Sequence, residues 1–381
     1  MNRSGPGGVA APMLGYSLQR RSRSRPRESG GVPRDRTGAA VKAPRHSAVP
    51  DGAATLRAVP SPALLARAAD GALAGNALVE PSVVAPSRRR PLGDSGHDLF
   101  PFVLDSAALG REDGAALLER FGAWGGNGVV VTDSSLAEGA GGWPAGHRDR
   151  DHFVLVGRFG APSGASATPR ALVSRVEDAL RRLRTDRLDV LAVRPGGAGR
   201  LDELLSAVEV LVARGLIRSV IASGFSPEEL FEARVLAAHG LPRFAGAEVR
   251  WNLLERQEAE GDLGLVAAGQ GLSLVSTVPL AHGFLRGVER TRRELSRLPD
   301  GAFAAAHVGR RGRRVLAVLD AIGSELSAAP AAVALAWLLG RPHLAAATVA
   351  PRSPADVDAL VRAVSLDLDA GHLAALERAR R

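Results

Sequence analysis

From about residue 100 onward, short apolar runs recur that stop at a charged or hydroxylated residue. Phe153-Val-Leu-Val-Gly-Arg158 is one. Leu188-Asp-Val-Leu-Ala-Val193, followed by Arg194, is another, and Val129-Val-Val131 runs into Thr132-Asp-Ser-Ser135. Near-unbroken apolarity over such a short span is how a strand buried on both faces reads. Between the strands at 153–158 and 188–193 lies a segment of different period. Thr168 is placed as an N-cap and Pro169 as the first helical residue. Leu172, Val173, Val176, Ala179, Leu180 and Leu183 then form one stripe at helical spacing.

The same alternation covers the rest of the chain. Helices are predicted over 111–124, 201–214 (closed by Gly215), 261–270, 310–327, 330–340 and from about 370. Ser226-Pro-Glu-Glu229 reads as a capping box and Ser353-Pro-Ala-Asp356 as a cap, each opening a further helix. Strands are predicted at 99–104, 217–222, 247–251, 272–276 and 345–350. Arg90–Gly96 reads as a tight hairpin and 281–305 as a long loop rich in Gly and Arg. Counting from Val103, eight strands alternate with helices. That predicts an α/β chain folded as a (β/α)8 barrel, a fold that typically takes ~250 residues. A doubly wound open sheet is the competitor. It usually carries a GxGxxG turn after its first strand, and none is present.

Composition changes this picture at the N-terminus. Residues 1–87 hold 12 Lys and Arg against 5 Asp and Glu and are rich in Gly, Pro, Ala and Ser. This stretch is read as a low-complexity, disordered basic extension with a short helix at 62–79, and 88–381 as the barrel domain. Most of the net charge of +9 therefore belongs to the extension. Its one aromatic, Tyr16, stands outside the arginine-dense run from Arg20 to Arg36, so no nucleic-acid partner is expected. The absence of cysteine excludes disulfides, thiolate nucleophiles and cysteine-based metal sites. The histidines show no metal-ligand spacing. No apolar run is long enough to span a membrane, and no secretory core is present near the start, so a cytoplasmic protein without a membrane partner is expected.

Seven stretches carry a resemblance: Arg90-Pro-Leu-Gly-Asp-Ser-Gly96, Leu180-Arg-Arg-Leu-Arg-Thr-Asp-Arg-Leu-Asp189, Ala222-Ser-Gly-Phe-Ser226, Trp251-Asn-Leu-Leu-Glu-Arg256, Pro279-Leu-Ala-His-Gly-Phe-Leu-Arg-Gly287, Val333-Ala-Leu-Ala-Trp-Leu-Leu339 and Val349-Ala-Pro-Arg-Ser-Pro354. In order and spacing they resemble the aldo/keto reductases over nearly all of 88–381. The resemblance implies a barrel that binds NADP(H) at the C-terminal ends of its strands and reduces carbonyls by hydride transfer. A Tyr supplies the proton, tuned by a Lys and an Asp, and a His orients the substrate oxygen.

The chain departs from that pattern at each of these four positions. Aligned through Thr132, the Asp position falls on Val131, the Tyr position on Leu136, the Lys position on Arg158 and the His position on Arg194, or on Val193 if one residue is deleted before the proline. The only Tyr is Tyr16 and the only Lys is Lys42, both in the extension. No catalytic residue is therefore assigned, and Leu136, Arg158 and Arg194 are read as lining the substrate pocket. An arginine does not give up its proton near neutral pH, but it binds oxyanions. Each arginine also has a plainer reading, an ion pair with a neighbouring Asp or Glu at a strand end.

By the same resemblance, the cofactor positions are Ser223, Thr277, Leu280, Gly283 and Arg352. Gly224 replaces an Asn beside Ser223, and Glu248 stands near the family's Gln. Thr277 occupies the place of the aromatic that stacks on the nicotinamide, and Leu360 replaces an Asn near the adenine. His282 is the one histidine in the cofactor loop. Two readings follow: an NADP-dependent oxidoreductase with weakened nicotinamide binding, or a catalytically inactive barrel that binds a nucleotide, an anionic metabolite or a protein partner.

Overall fold

The computed structural model describes residues 89–109, 114–137, 150–159, 169–195, 200–298 and 300–381. The basic extension and the cap placed at Thr168 lie outside the described residues.

A two-stranded hairpin comes first, β1 (Arg90–Pro91) against β2 (Asp98–Leu99). Eight parallel strands follow: β3 (Phe102–Asp105), β4 (Gly128–Thr132), β5 (Val154–Arg158), β6 (Leu188–Val193), β7 (Ile217–Ser223), β8 (Gly246–Val249), β9 (Ser273–Ser276) and β10 (Leu344–Val349). They pair in sequence order and β10 returns to β3, closing the barrel. The fold is the expected (β/α)8 barrel.

The apolar strands divide their side chains between two cores, as the two-residue period of a strand requires. Val103, Val130, Val156, Val190, Ile221, Val275 and Ala346 pack together inside the barrel. Leu92 and Leu99 of the hairpin join them and close one end. The intervening residues, Val131 and Val193 among them, face the surrounding helices. The hairpin is pinned where it meets the barrel. The Gly93 amide donates to Ser273 Oγ at 2.9 Å, and a Cβ at Gly93 would stand 2.0 Å from the carbonyl oxygen of Ala245.

Local chemistry explains the boundaries. The strand predicted at 99–104 is split, because Pro101 has no N–H for a ladder; its carbonyl accepts from the Ala347 amide at 2.9 Å, leading into β3. The helix at Pro227–Ala238 carries the predicted capping box of Ser226 and Glu229. The helix at Leu201–Ala213 gives way to Gly215 at φ 69°. The helix at Pro169–Leu183 begins at its proline, and that at Pro354–Val364 is capped by Ser353.

One expectation fails. The stretch read as a loop, 281–305, contains a 3-10 segment (Ala281–Arg286) and two short helices, Arg292–Leu295 and Gly301–Ala306. A capping box of Thr291 and Glu294 starts the first of these helices. Among the described residues, no single helix is long and apolar enough to cross a membrane.

Candidate functional site

At the C-terminal ends of the strands, the inward-facing positions turn polar. One position above Val156, Gly246 and Ala346 stand Arg158, Glu248 and Thr348, from β5, β8 and β10. Arg158 Nε donates to both carboxylate oxygens of Glu248, at 2.8 and 3.0 Å. Nη2 donates to the same carboxylate and, at 3.3 Å, to Thr348 Oγ1. The Glu248 side chain is 2% exposed and that of Arg158 14%. This is a buried ion pair reaching across the barrel, and Thr348 satisfies one further donor. Arg158 therefore takes the plainer of its two readings, although its partner lies across the barrel rather than beside it in sequence.

The other predicted pocket residues do not join it. Arg194, just past the end of β6, is exposed. Leu136 is buried in the short helix Asp133–Ala137 and packs into the core between barrel and helices. Val131 also points to that helix layer, so strand parity puts Thr132, not Val131, on the mouth side of β4. Asp133, a nearby carboxylate, pairs with Arg175 at 3.5 Å and is half exposed.

The resemblance-based cofactor residues are spread along one side of the mouth. Ser223 ends β7 and is buried. Gly224 after it has φ 70°, in the left-handed region that glycine adopts without strain. Thr277 turns its hydroxyl back onto the Val249 carbonyl at 3.3 Å. Leu280 leads into a bend in which Ala281, His282 and Gly283 all have positive φ, 49°, 55° and 95°. Two consecutive non-glycine residues in the left-handed region mark a strained turn. A side chain at Gly283 would also press on Leu298. The turn is braced from the loop after β8, where Asn252 donates from Nδ2 to the Val278 carbonyl at 2.8 Å and accepts from the amides of Leu254 and Glu255 at 2.9 Å. Asn252 is fully buried. As an Asx turn after a strand it was readable in sequence, and it was missed.

Arg352 precedes the helix that starts at Pro354, and its side chain is 47% exposed. Asp356 accepts from the Arg352 amide at 2.8 Å, and the Asp356 amide donates to Ser353 Oγ at 3.2 Å. His282 stacks on Phe303, ring centroids 5.0 Å apart. His307, half-buried nearby, has its pKa pushed below the ordinary imidazole value, chiefly by loss of solvent; Glu255 opposes the shift, and His282 and Arg311 add to it. Among the described residues no cluster suited to a metal ion is found.

The model describing the aldo/keto reductase family matches residues 135–381. This chain belongs to that family. It is 25% identical over 276 residues to norsolorinic acid reductase stcV of Emericella nidulans, a match covering 68% of this chain and 69% of the relative. It is 29% identical over 198 residues to the uncharacterized oxidoreductase YrpG of Bacillus subtilis, covering 51% of the chain and 59% of the relative. The match to 6-dehydroglucose reductase of Agrobacterium fabrum is 27% over 206 residues, 51% of the chain and 61% of the relative.

Aldo/keto reductases generally use a nicotinamide dinucleotide. The residues present do not fit its nicotinamide half. Glu248 is bound up with Arg158, Thr277 offers no ring, and neither a phenol nor an amine side chain occurs after residue 88. The bend at 280–283 and Arg352, which the resemblance assigns to the phosphate end, are both present, although Asp356 already accepts from the Arg352 amide.

Proposed function

We propose that this aldo/keto reductase barrel binds a phosphate-bearing ligand at its mouth without reducing carbonyls. The observation that carries the reading is the buried Arg158–Glu248 pair closed on Thr348. Hydride transfer to a carbonyl leaves an alkoxide that needs a proton. A guanidinium is a poor donor, and this one is already committed to a carboxylate and a hydroxyl. Arg352 and the strained bend at 280–283 support retention of the phosphate contacts, with NADP(H) as the ligand the family suggests and Arg352 as the residue that would meet a 2′-phosphate.

The competing reading, an NADP-dependent carbonyl oxidoreductase, draws on the names of the relatives. The test is a calorimetric titration of the full chain with NADPH and with NADH, followed by a carbonyl substrate screen on the same preparation. The proposal expects binding, a preference for NADPH that Arg352→Ala reduces, and no turnover. Turnover of any carbonyl would establish the competing reading. No binding even at high ligand concentration would remove the nucleotide from both readings and leave the mouth as a repurposed surface.

A further inference from the structure

Residues 286–314 hold nine arginines against three carboxylates, Glu289, Glu294 and Asp300. The net of six positive charges exceeds that of the whole region after residue 87, so the rest of that region is net negative. The segment also folds back on itself and onto the mouth loop. Phe303 of Gly301–Ala306 stacks on His282 of the mouth loop, and Arg292 Nη2 donates to the Val308 carbonyl at 3.3 Å. Arg290 is held by Asp320 at 2.7 Å.

Arg310, Arg313 and Arg314 have no such partner among the described residues. They are exposed on the first turns of the helix Arg310–Glu325, which has no acidic residue in its first turn and no side-chain cap. Arginines so placed repel one another and the positive end of the helix dipole. Val288 and Phe303, 68% and 54% exposed, lie in the same excursion.

We infer that this excursion is a docking surface for an acidic protein segment carrying apolar side chains. Charge complementarity calls for an anion, and arginine forks match carboxylates bidentately. The exposed Val288 and Phe303 favour a peptide over nucleic acid. A sugar–phosphate backbone gains little from an exposed valine, whereas a leucine or phenylalanine between acidic residues would bury against it.

The test is fluorescence anisotropy of a labelled peptide with Leu and Phe set between Asp and Glu residues, mixed with the full chain over a range of salt. Binding is expected and should weaken as salt rises. Arg310→Gln, Arg313→Gln and Arg314→Gln together should weaken it by about tenfold, and so should Val288→Ser with Phe303→Ser. Arg20→Gln, Arg21→Gln and Arg23→Gln in the basic extension should change it by less than about twofold. The triple patch variant should melt no lower than the parent, which shows that the loss is not unfolding. Unchanged binding by the patch variant, loss with the extension variant, or tighter binding of a single-stranded RNA of equal charge would each overturn the inference.

Discussion

Arg158 and Glu248, separated by 90 residues in sequence, meet inside the mouth of the barrel as a buried ion pair. By the resemblance, Arg158 falls at the place of a lysine that tunes the catalytic acid and Glu248 falls near that of a glutamine. The Glu248 carboxylate alone would be a buried, uncompensated charge, and the Arg158 guanidinium neutralises it. Breaking such a pair costs about 3–5 kcal/mol, whereas replacing both partners with apolar residues is often neutral. Glu248→Gln is therefore expected to destabilise the fold by about that amount in urea unfolding. Arg158→Met with Glu248→Leu should cost far less than the sum of the single changes. Additive single effects would show that the two side chains do not act as a pair.

Gly93 sets how closely the hairpin seats on the barrel. Its φ is 54°, and a Cβ would fall 2.0 Å from the Ala245 carbonyl. Gly93→Ala should lower stability by roughly 2–3 kcal/mol, from backbone strain and forced displacement together. Gly96, also at positive φ but with open space around it, should tolerate Ala with a smaller loss. Equal losses at the two sites would mean that the close approach at Gly93 is not tight.

His307 gives the fold a pH dependence. Its pKa is lowered on folding, chiefly by burial, so the unfolded chain binds the proton more readily. The associated stability is complete above the unfolded value of about 6.5 and is lost as pH falls below it. Urea midpoints measured from about pH 7.5 down to about pH 5.5 should decline less steeply in His307→Gln than in the parent. An unchanged slope would remove His307 as its source.

Reinstating the family's chemistry should require undoing the ion pair. Leu136→Tyr with Arg158→Lys is expected to yield no carbonyl reduction, because Glu248 would hold the new ammonium. Adding Glu248→Gln should free that ammonium but still give no carbonyl reduction, because Leu136 packs between barrel and helices and a phenol there does not reach the mouth. Val131→Asp is not part of this set: Val131 faces the helix layer, and a carboxylate there would be buried among apolar side chains. Activity from the two-residue change alone would contradict the role given to Glu248.

Much of this was legible in sequence, for identifiable reasons. Strands buried on both faces are nearly pure apolar runs, so β5 and β6 stood out. The caps at Ser226 and Ser353 fall where Ser-Pro dipeptides announce them. The helices within 281–305 were hidden by Gly and Arg content, although Thr291 and Glu294 carry the capping-box spacing. The Arg158–Glu248 contact was out of reach, because strand closure brings together residues that no local pattern relates. The parity of Val131 was equally hidden: in a run of three valines, sequence does not say which one faces in.

The central claim, ligand binding without carbonyl reduction, is tested most directly by single-turnover spectroscopy. Full-length protein in excess over NADPH is mixed with a panel of aldehydes and ketones, and the reduced nicotinamide absorbance is followed. The account predicts a trace that overlays the protein-free control for every substrate. Loss of one equivalent of NADPH with any of them, faster than that control, would contradict it.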